Sequence, residues 1–367
     1  MAERVLAISN HATFIGGGEH SYLDLISHFP AEYSVIACLP SEDVLSTKTR
    51  EKGISTVIVP LPRINPAYIR QMASSIGRLK NICKTEKVKL IYANGSRAAF
   101  YGGVVGCLCS IPAIWHCRVS EPDPYLDFIL IRLVDRIVAN SRATASRFSS
   151  NIQNKMDVVY NGLDLQWFRD LNVAKPELIQ DDWISILVVG RVSRLKGHDL
   201  IISAFEKIAD LEANAHLICV GGKDHSDPGW WDELQRLTQC SPFSERIHWI
   251  GVVNDVRPWY RGASMMVLPS TNEAFGRVVV EAMACGVPVI ATRTGGIPEI
   301  LTDMQNGMLV PENDCDSIAE AIMKLSREKS LKKRLVEEGY KRAEHFSRAT
   351  HIEKMVNVFN KVADRTK

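Results

Sequence analysis

Short apolar runs, each closed by a glycine or a polar turn, recur along the whole chain: Val5-Leu6-Ala7-Ile8, Tyr33–Leu39, Thr56–Val59, Leu90–Asn94, Ile137-Val138-Ala139, Ile184–Val189, His216–Val220, Met265–Leu268 and Val287–Thr292. Runs with no outward polar alternation predict strands buried on both faces. Amphipathic stretches lie between them, such as Tyr22-Leu23 with Leu25-Ile26 and Phe29. Strand, loop and helix in repeated succession predict parallel α/β architecture. The uncharged segment Ala98–Trp115 is long enough to raise a membrane span. Gly102, Gly103, Gly106 and Pro112 divide it instead into a helix and a following strand.

One stretch carries most of the chemistry, NEAFGRVVVEAMACGVPVIATRTGGIPE from Asn272 to Glu299. Glu281 lies between Val278-Val279-Val280 and Ala282-Met283-Ala284, so it belongs to a buried helix. A buried carboxylate needs partners, and this one is expected to find donors outside its own helix. Glu273-Ala274-Phe275-Gly276 predicts a tight turn, with Gly276 leaving the first helical N–H groups open to an anion. That pairing suits a phosphate lying beside a sugar. Cys285-Gly286 predicts the helix stop, and Gly295-Gly296 a loop opening a further helix near Pro298-Glu299.

Two other places point the same way. Gly190-Arg191 ends a buried run and Lys196-Gly197 follows one short loop later; two cations at a strand end are what a diphosphate leaving group needs. Near the N-terminus, Gly16-Gly17-Gly18-Glu19-His20 between a strand and a helix is the phosphate-binding layout of a Rossmann half. It lacks the G-x-G-x-x-G spacing, which argues against a nicotinamide cofactor. His116 and Arg118 end another strand, where ligands bind in open α/β sheets.

Glu273 and Glu281, followed by AMACGVPVIAT and GGIPE, resemble the E-x7-E signature of retaining family 4 glycosyltransferases of the GT-B fold. The G-R-x4-K-G block at Gly190–Gly197, the histidine at 116 and the short block Asp157–Asp164 resemble that family in the same order. The resemblance implies two Rossmann-like domains with parallel sheets facing across a deep cleft. Residues 1–170 would bind the acceptor and 171–345 the nucleotide-sugar donor, with a C-terminal helix over 346–367 crossing back; Phe168–Asp182, with its charges and Pro176, itself reads as the linker. It implies catalytic roles for Glu273, His116, Arg191 and Lys196, with Glu273 and His116 contacting the sugar. Donor contacts would come from Gly17, Gly18, Arg191, Lys196, Val252, Phe275, Gly276, Arg277, Val278 and Glu281, the last binding the ribose. The implied reaction is retaining transfer of a hexose, glucose from UDP-glucose being the choice, to a saccharide or lipid-linked hydroxyl in bacterial polysaccharide or glycolipid synthesis. A sugar-nucleotide epimerase or a non-catalytic nucleotide-sugar binding protein are the alternatives.

Composition narrows the remaining classes. A chain of 367 residues, 46% hydrophobic, has room for two cores. A formal charge of +2 argues against a nucleic-acid binder. Nine scattered cysteines fit a reducing compartment better than a disulfide framework. Cys107-Leu108-Cys109 lacks companions for a metal site, Asp314-Cys315-Asp316 reads as a helix cap, and the family needs no divalent ion, so neither metal nor cofactor is expected. The start, Met1-Ala2-Glu3-Arg4-Val5-Leu6, has no signal-peptide core, which predicts a cytoplasmic protein. A helix bearing Arg70, Arg78, Lys80, Lys84, Lys87 and Lys89 is a solvated face or a patch for peripheral association with anionic membrane. Trp230 and Trp231, in a polar stretch, cover a helix or line the site.

Overall fold

A computed structural model describes residues 2–14, 16–170, 172–224 and 226–363. The chain divides into two units, one running to Gly162 and taking in the segment from Arg348 on, the other covering Leu163–Ser347.

The first unit is built on seven strands: β1 (Glu3–Ser9), β2 (Tyr33–Leu39), β3 (Ser55–Ile58), β4 (Leu90–Asn94), β5 (Ala113–Cys117), β6 (Arg136–Ala139) and β7 (Met156–Val158). Their order is β3-β2-β1-β4-β5-β6-β7 and every pairing is parallel. The two-residue period of a strand explains the unbroken apolar runs. Leu6 and Ile8 of β1 enter one core, whereas Val5 and Ala7 enter the core on the opposite face. The glycines of 98–115 let the helix Ser96–Cys109 lie close on the sheet: a Cβ on Gly102 would sit 2.9 Å from Ile91 Cγ2, and one on Gly106 2.6 Å from the Ile111 carbonyl. The other face is covered by the helices Gly17–Ser27 and Arg348–Ala363. Phe359 stacks on Phe29 at 5.2 Å, and Tyr33 donates to Asn360 Oδ1 at 2.7 Å.

The second unit has six strands, β8 (Ile184–Val189), β9 (Ala215–Val220), β10 (Ile247–Gly251), β11 (Met265–Leu268), β12 (Val289–Thr292) and β13 (Met308–Val310). They lie in the order β10-β9-β8-β11-β12-β13, again all parallel. Each sheet therefore gathers its βα loops at its own carboxyl edge, where open α/β sheets place their ligands.

Some expectations are corrected and others are met. Phe168 does not begin a free linker: it is buried in the second unit, its carbonyl accepts from Cys285 Sγ at 3.3 Å, and neighbouring Trp167 lies under the Arg257 guanidinium at 4.0 Å. The loop after Gly295-Gly296 opens only one 3-10 turn, Ile297–Glu299. The basic helix stops at Thr85, and Lys87, with φ 52°, turns the chain toward β4, so Lys87 and Lys89 lie beyond it. Asp314 caps the helix Cys315–Arg327, accepting from the Ser317 N–H at 2.9 Å, while Asp316 pairs with Lys207. Trp230 and Trp231 lie under Arg194 and Lys223, at 4.3 and 4.5 Å. No helix among the described residues is long and apolar enough to cross a membrane.

Candidate functional site

At the carboxyl edge of the second sheet, β11 runs out through Pro269 and Ser270 into the turn carrying Glu273. Glu273 is 8% exposed and engages two groups: the Lys196 ammonium, and the Ser270 hydroxyl, which donates to Oε1 at 3.0 Å. Lys196 arrives from the loop after β8, its stem passing within 3.8 Å of the position a Cβ on Gly190 would take. Gly197, with φ 64°, turns the chain into the helix His198–Ala209 so closely under β11 that a Cβ would lie 2.2 Å from the Pro269 carbonyl. The motif glycine thus brings Lys196 to Glu273. Arg191 stays 44% exposed at the side-chain level and lies 3.6 Å from Asp224 in the loop after β9.

Four residues into the helix Arg277–Ala284, Glu281 is also 8% exposed. Its donors overturn one expectation. Arg277, one turn earlier on the same helix, donates from Nε to Oε1 at 2.7 Å, the i,i+4 geometry. Tyr260, wholly buried in the helix Arg257–Gly262, reaches Oε2 at 3.2 Å. Burial and the neighbouring Glu281 carboxylate push the Tyr260 phenol well above its usual pKa, so it is a proton donor at any physiological pH.

Packing fixes where the other predicted donor-contact residues lie. Phe275 is 2% exposed and packs edge-on to Phe346 at 5.6 Å, so its ring is core. Gly276 is not open space: at φ 94°, a Cβ there would meet Ile297 Cδ1 at 2.3 Å. Glycine is required there by backbone and packing. Val252, just past β10, is 80% exposed, and a Cβ on Gly222 would lie 2.7 Å from its Cγ2.

The first unit places its predicted residues at the carboxyl edge of its own sheet. Gly17 and Gly18 open the helix Gly17–Ser27, and a Cβ on Gly18 would lie 3.4 Å from Arg118 Cδ. The His116 ring does not stand free for a sugar. It is wholly buried, and its Nδ1 is met by Tyr92 OH at 2.8 Å and by Arg118 Nη2 at 3.3 Å. Arginine only donates, so Nδ1 is the acceptor and the ring proton sits on Nε2. Burial first, then Arg118 and His351, hold the His116 pKa well below its usual value and keep the ring neutral. Arg118 also donates to the side-chain oxygens of Asn94, at 2.6 Å, and Asn161. His116 therefore positions Arg118 beside the glycine loop.

Sequence reasoning missed Tyr260, Ser270, Asp224 and the Tyr92–Asn94–Asn161 set. Ser270, three residues before Glu273 at a strand end, had a local signal; Tyr260 had none. Among the described residues no group of three or more His, Cys, Asp or Glu is arranged to hold a metal ion.

His198, directly after the lysine loop, is 1% exposed, and burial, with Lys196 adding to it, lowers its pKa to about 4. At the opposite edge, His216 lies flat on Trp183, ring centroids 3.4 Å apart, and bonds His248 at 3.1 Å; burial, then His248, lowers His216 to about 4 as well. A histidine whose folded pKa is depressed binds its proton more readily when unfolded. Its contribution is complete above pH ~6.5 and lost as pH falls toward 4. For His198 the full shift is worth on the order of 3 kcal/mol, about 2 of which is gone by pH 5. Urea midpoints should therefore drop between pH 7.5 and 5, and His198→Gln should flatten the slope. An unchanged slope in that variant would remove His198 from the account.

Two parallel-sheet Rossmann-like units, with paired glutamates and basic residues at the carboxyl edge of the second, define the GT-B class of fold. The comparisons name the family. Residues 171–342 match the model "Glycosyl transferases group 1", and residues 15–167 match "Glycosyltransferase Family 4". An uncharacterized glycosyltransferase of Methanocaldococcus jannaschii is 30% identical over 299 residues, 78% of this chain and 79% of that one. The chain belongs to the group 1, family 4 glycosyltransferases. A D-inositol 3-phosphate glycosyltransferase of Streptomyces bingchenggensis is 31% identical over 59% of this chain, and the match spans 50% of the relative. The crystal structure of Anabaena HepE in complex with UDP shares the fold with a TM-score of 0.84 at 20% identity, covering 98% of this chain and 100% of that one. Sucrose-phosphate synthase from Thermosynechococcus elongatus gives 0.79 at 18% identity, over 98% of each chain.

Proposed function

We propose that this chain is a retaining hexosyltransferase that moves glucose from UDP-glucose to an acceptor hydroxyl, in the assembly of a polysaccharide or glycolipid. The observation that carries this reading is the pair of nearly buried carboxylates, Glu273 and Glu281, each fixed by a cation and a hydroxyl at one sheet edge. Structural neighbours add support for the donor, since HepE is described in complex with UDP and with UDP-glucose.

Glu281 accepts hydrogen bonds from the ribose. Glu273 orients the sugar through its hydroxyls. Lys196 has three N–H donors and gives one to Glu273, so the others can reach a phosphate oxygen. Arg191 supplies the second charge. These groups stabilise the negative charge that grows on the departing diphosphate, the preorganised electrostatic contribution that usually dominates catalysis. In this scheme Glu273, whose Oε1 is held by Lys196 and Ser270, orients the sugar and does not serve as a covalent nucleophile. The acceptor therefore attacks from the side the diphosphate leaves: the bond from C1 to the phosphate oxygen breaks, a bond from C1 to the acceptor oxygen forms, and the acceptor proton passes to the departing phosphate oxygen. No metal or other cofactor takes part in this scheme.

Titration calorimetry with UDP, GDP and ADP, joined to transfer of radiolabelled glucose from UDP-glucose onto saccharide and lipid-linked acceptors, tests it. Heat with UDP and label in the acceptor are expected. Heat with none of the three nucleotides defeats the reading, and label recovered only as an isomerised nucleotide sugar would make the protein an epimerase.

A further inference from the structure

Each of the two glutamates is held by a buried hydroxyl, one from three residues upstream and one from a separate helix. Tyr260 is wholly buried, and its oxygen lies 3.2 Å from Glu281 Oε2 and 3.3 Å from the Val278 carbonyl. A phenol has one proton, and a carboxylate is the stronger acceptor, so the proton goes to Glu281. Arg277 holds the other oxygen, Oε1, at 2.7 Å. The carboxylate is thus pinned at both ends. Ser270, also wholly buried, donates to Glu273 Oε1 at 3.0 Å, the oxygen that Lys196 also takes. Thr292 Oγ1 donates to the Ser270 carbonyl and fixes the serine backbone in turn.

We infer that Tyr260 and Ser270 are positioning residues with separable effects, Tyr260 setting Glu281 for nucleotide binding and Ser270 setting Glu273 for sugar transfer. This rests on the function proposed above. Without its phenol proton, Glu281 Oε2 rotates or takes up water, and the cost falls on nucleotide affinity. Without the serine proton, Glu273 is held by lysine alone, and the cost falls on the transfer step. A hydrogen bond to a charged group sets the scale at about tenfold for each.

The test uses the full chain carrying Tyr260→Phe, Ser270→Ala or Ser270→Thr, with UDP calorimetry, donor KM and kcat measured for each. Tyr260→Phe should raise the UDP Kd and donor KM about tenfold and leave kcat within about twofold; Ser270→Ala should lower kcat about tenfold with UDP Kd nearly unchanged. Ser270→Thr, which keeps the hydroxyl, should recover most of kcat. Tyr260→Phe is also placed on a Glu281→Gln background, where it should weaken UDP binding no further. Equal weakening on both backgrounds makes Tyr260 merely structural and overturns the inference, as does a parallel fall of kcat and affinity in both single variants. Wild-type protein that binds no nucleotide refutes the proposed function itself; wild-type binding with an unmoved Tyr260→Phe refutes this inference alone.

Discussion

Lys196→Ala should lower sugar transfer by about 10²–10³-fold, and Glu273→Gln should fall in the same range, while both proteins stay folded. Among the described residues the lysine is the one cation paired with Glu273, and its side chain is 24% exposed against 10% for the glutamate's. Removing it takes away a charge held ready for the leaving diphosphate and loosens the carboxylate proposed to hold the sugar. The fold loses little. Glu273 keeps the Ser270 hydroxyl, and the lysine stem crosses the surface of Gly190 without entering a core cluster. Because the two side chains form one unit, Lys196→Ala with Glu273→Gln should cost much less than the product of the two single effects. Lys207→Ala is the control, since Lys207 pairs with Asp316 through side chains that are 46% and 71% exposed. Initial rates with UDP-glucose and thermal melts measure all four. Rates within threefold of wild type in both single variants would end the assignment of this pair.

The parts of this protein readable before folding are those whose physics is local. Strands β1, β2, β8 and β9 stand out because a parallel strand is buried on both faces and cannot alternate, which leaves an unbroken apolar run. The glutamate stretch was readable because a carboxylate inside such a run is costly. The partners were harder to see. Arg277 was within reach of a periodicity argument, since residues four apart share a helix face, and the expectation of outside donors overlooked it. Tyr260 was not, because it meets Glu281 across 21 residues of chain and its own six-residue helix has no pattern of note. The burial of His116 followed from a fact no motif carries, that Tyr92 on the next strand points at the same ring. β13, three residues long, is too short to stand out from its flanking turns.

Gly295→Ala should destabilise the second unit by about 2–4 kcal/mol and take sugar transfer down with it. Gly295 has φ 49°, in the left-handed region, and the Cβ that alanine adds would lie 1.9 Å from the carbonyl oxygen of Glu273 and 2.8 Å from its carbonyl carbon. Both are backbone atoms, so no rotamer change relieves the collision. The chain must separate there, and the segment that moves is the one carrying the glutamate. The same carbonyl accepts the Gly296 N–H at 2.8 Å, so displacement also breaks the bond that joins the two turns. Gly77→Ala is the matched control. Gly77 lies in the helix Ile69–Thr85 with nothing within 4 Å of the added carbon, and there alanine should stabilise by about 0.5–1 kcal/mol through helix propensity. The two substitutions add the same methyl group with opposite expected sign, so a general effect of losing glycine cannot produce both results. Melting temperatures and UDP-glucose transfer rates decide it. If Gly295→Ala melts as high as Gly77→Ala, the loop after β12 does not pack against the Glu273 turn, and the geometry on which the site rests is wrong.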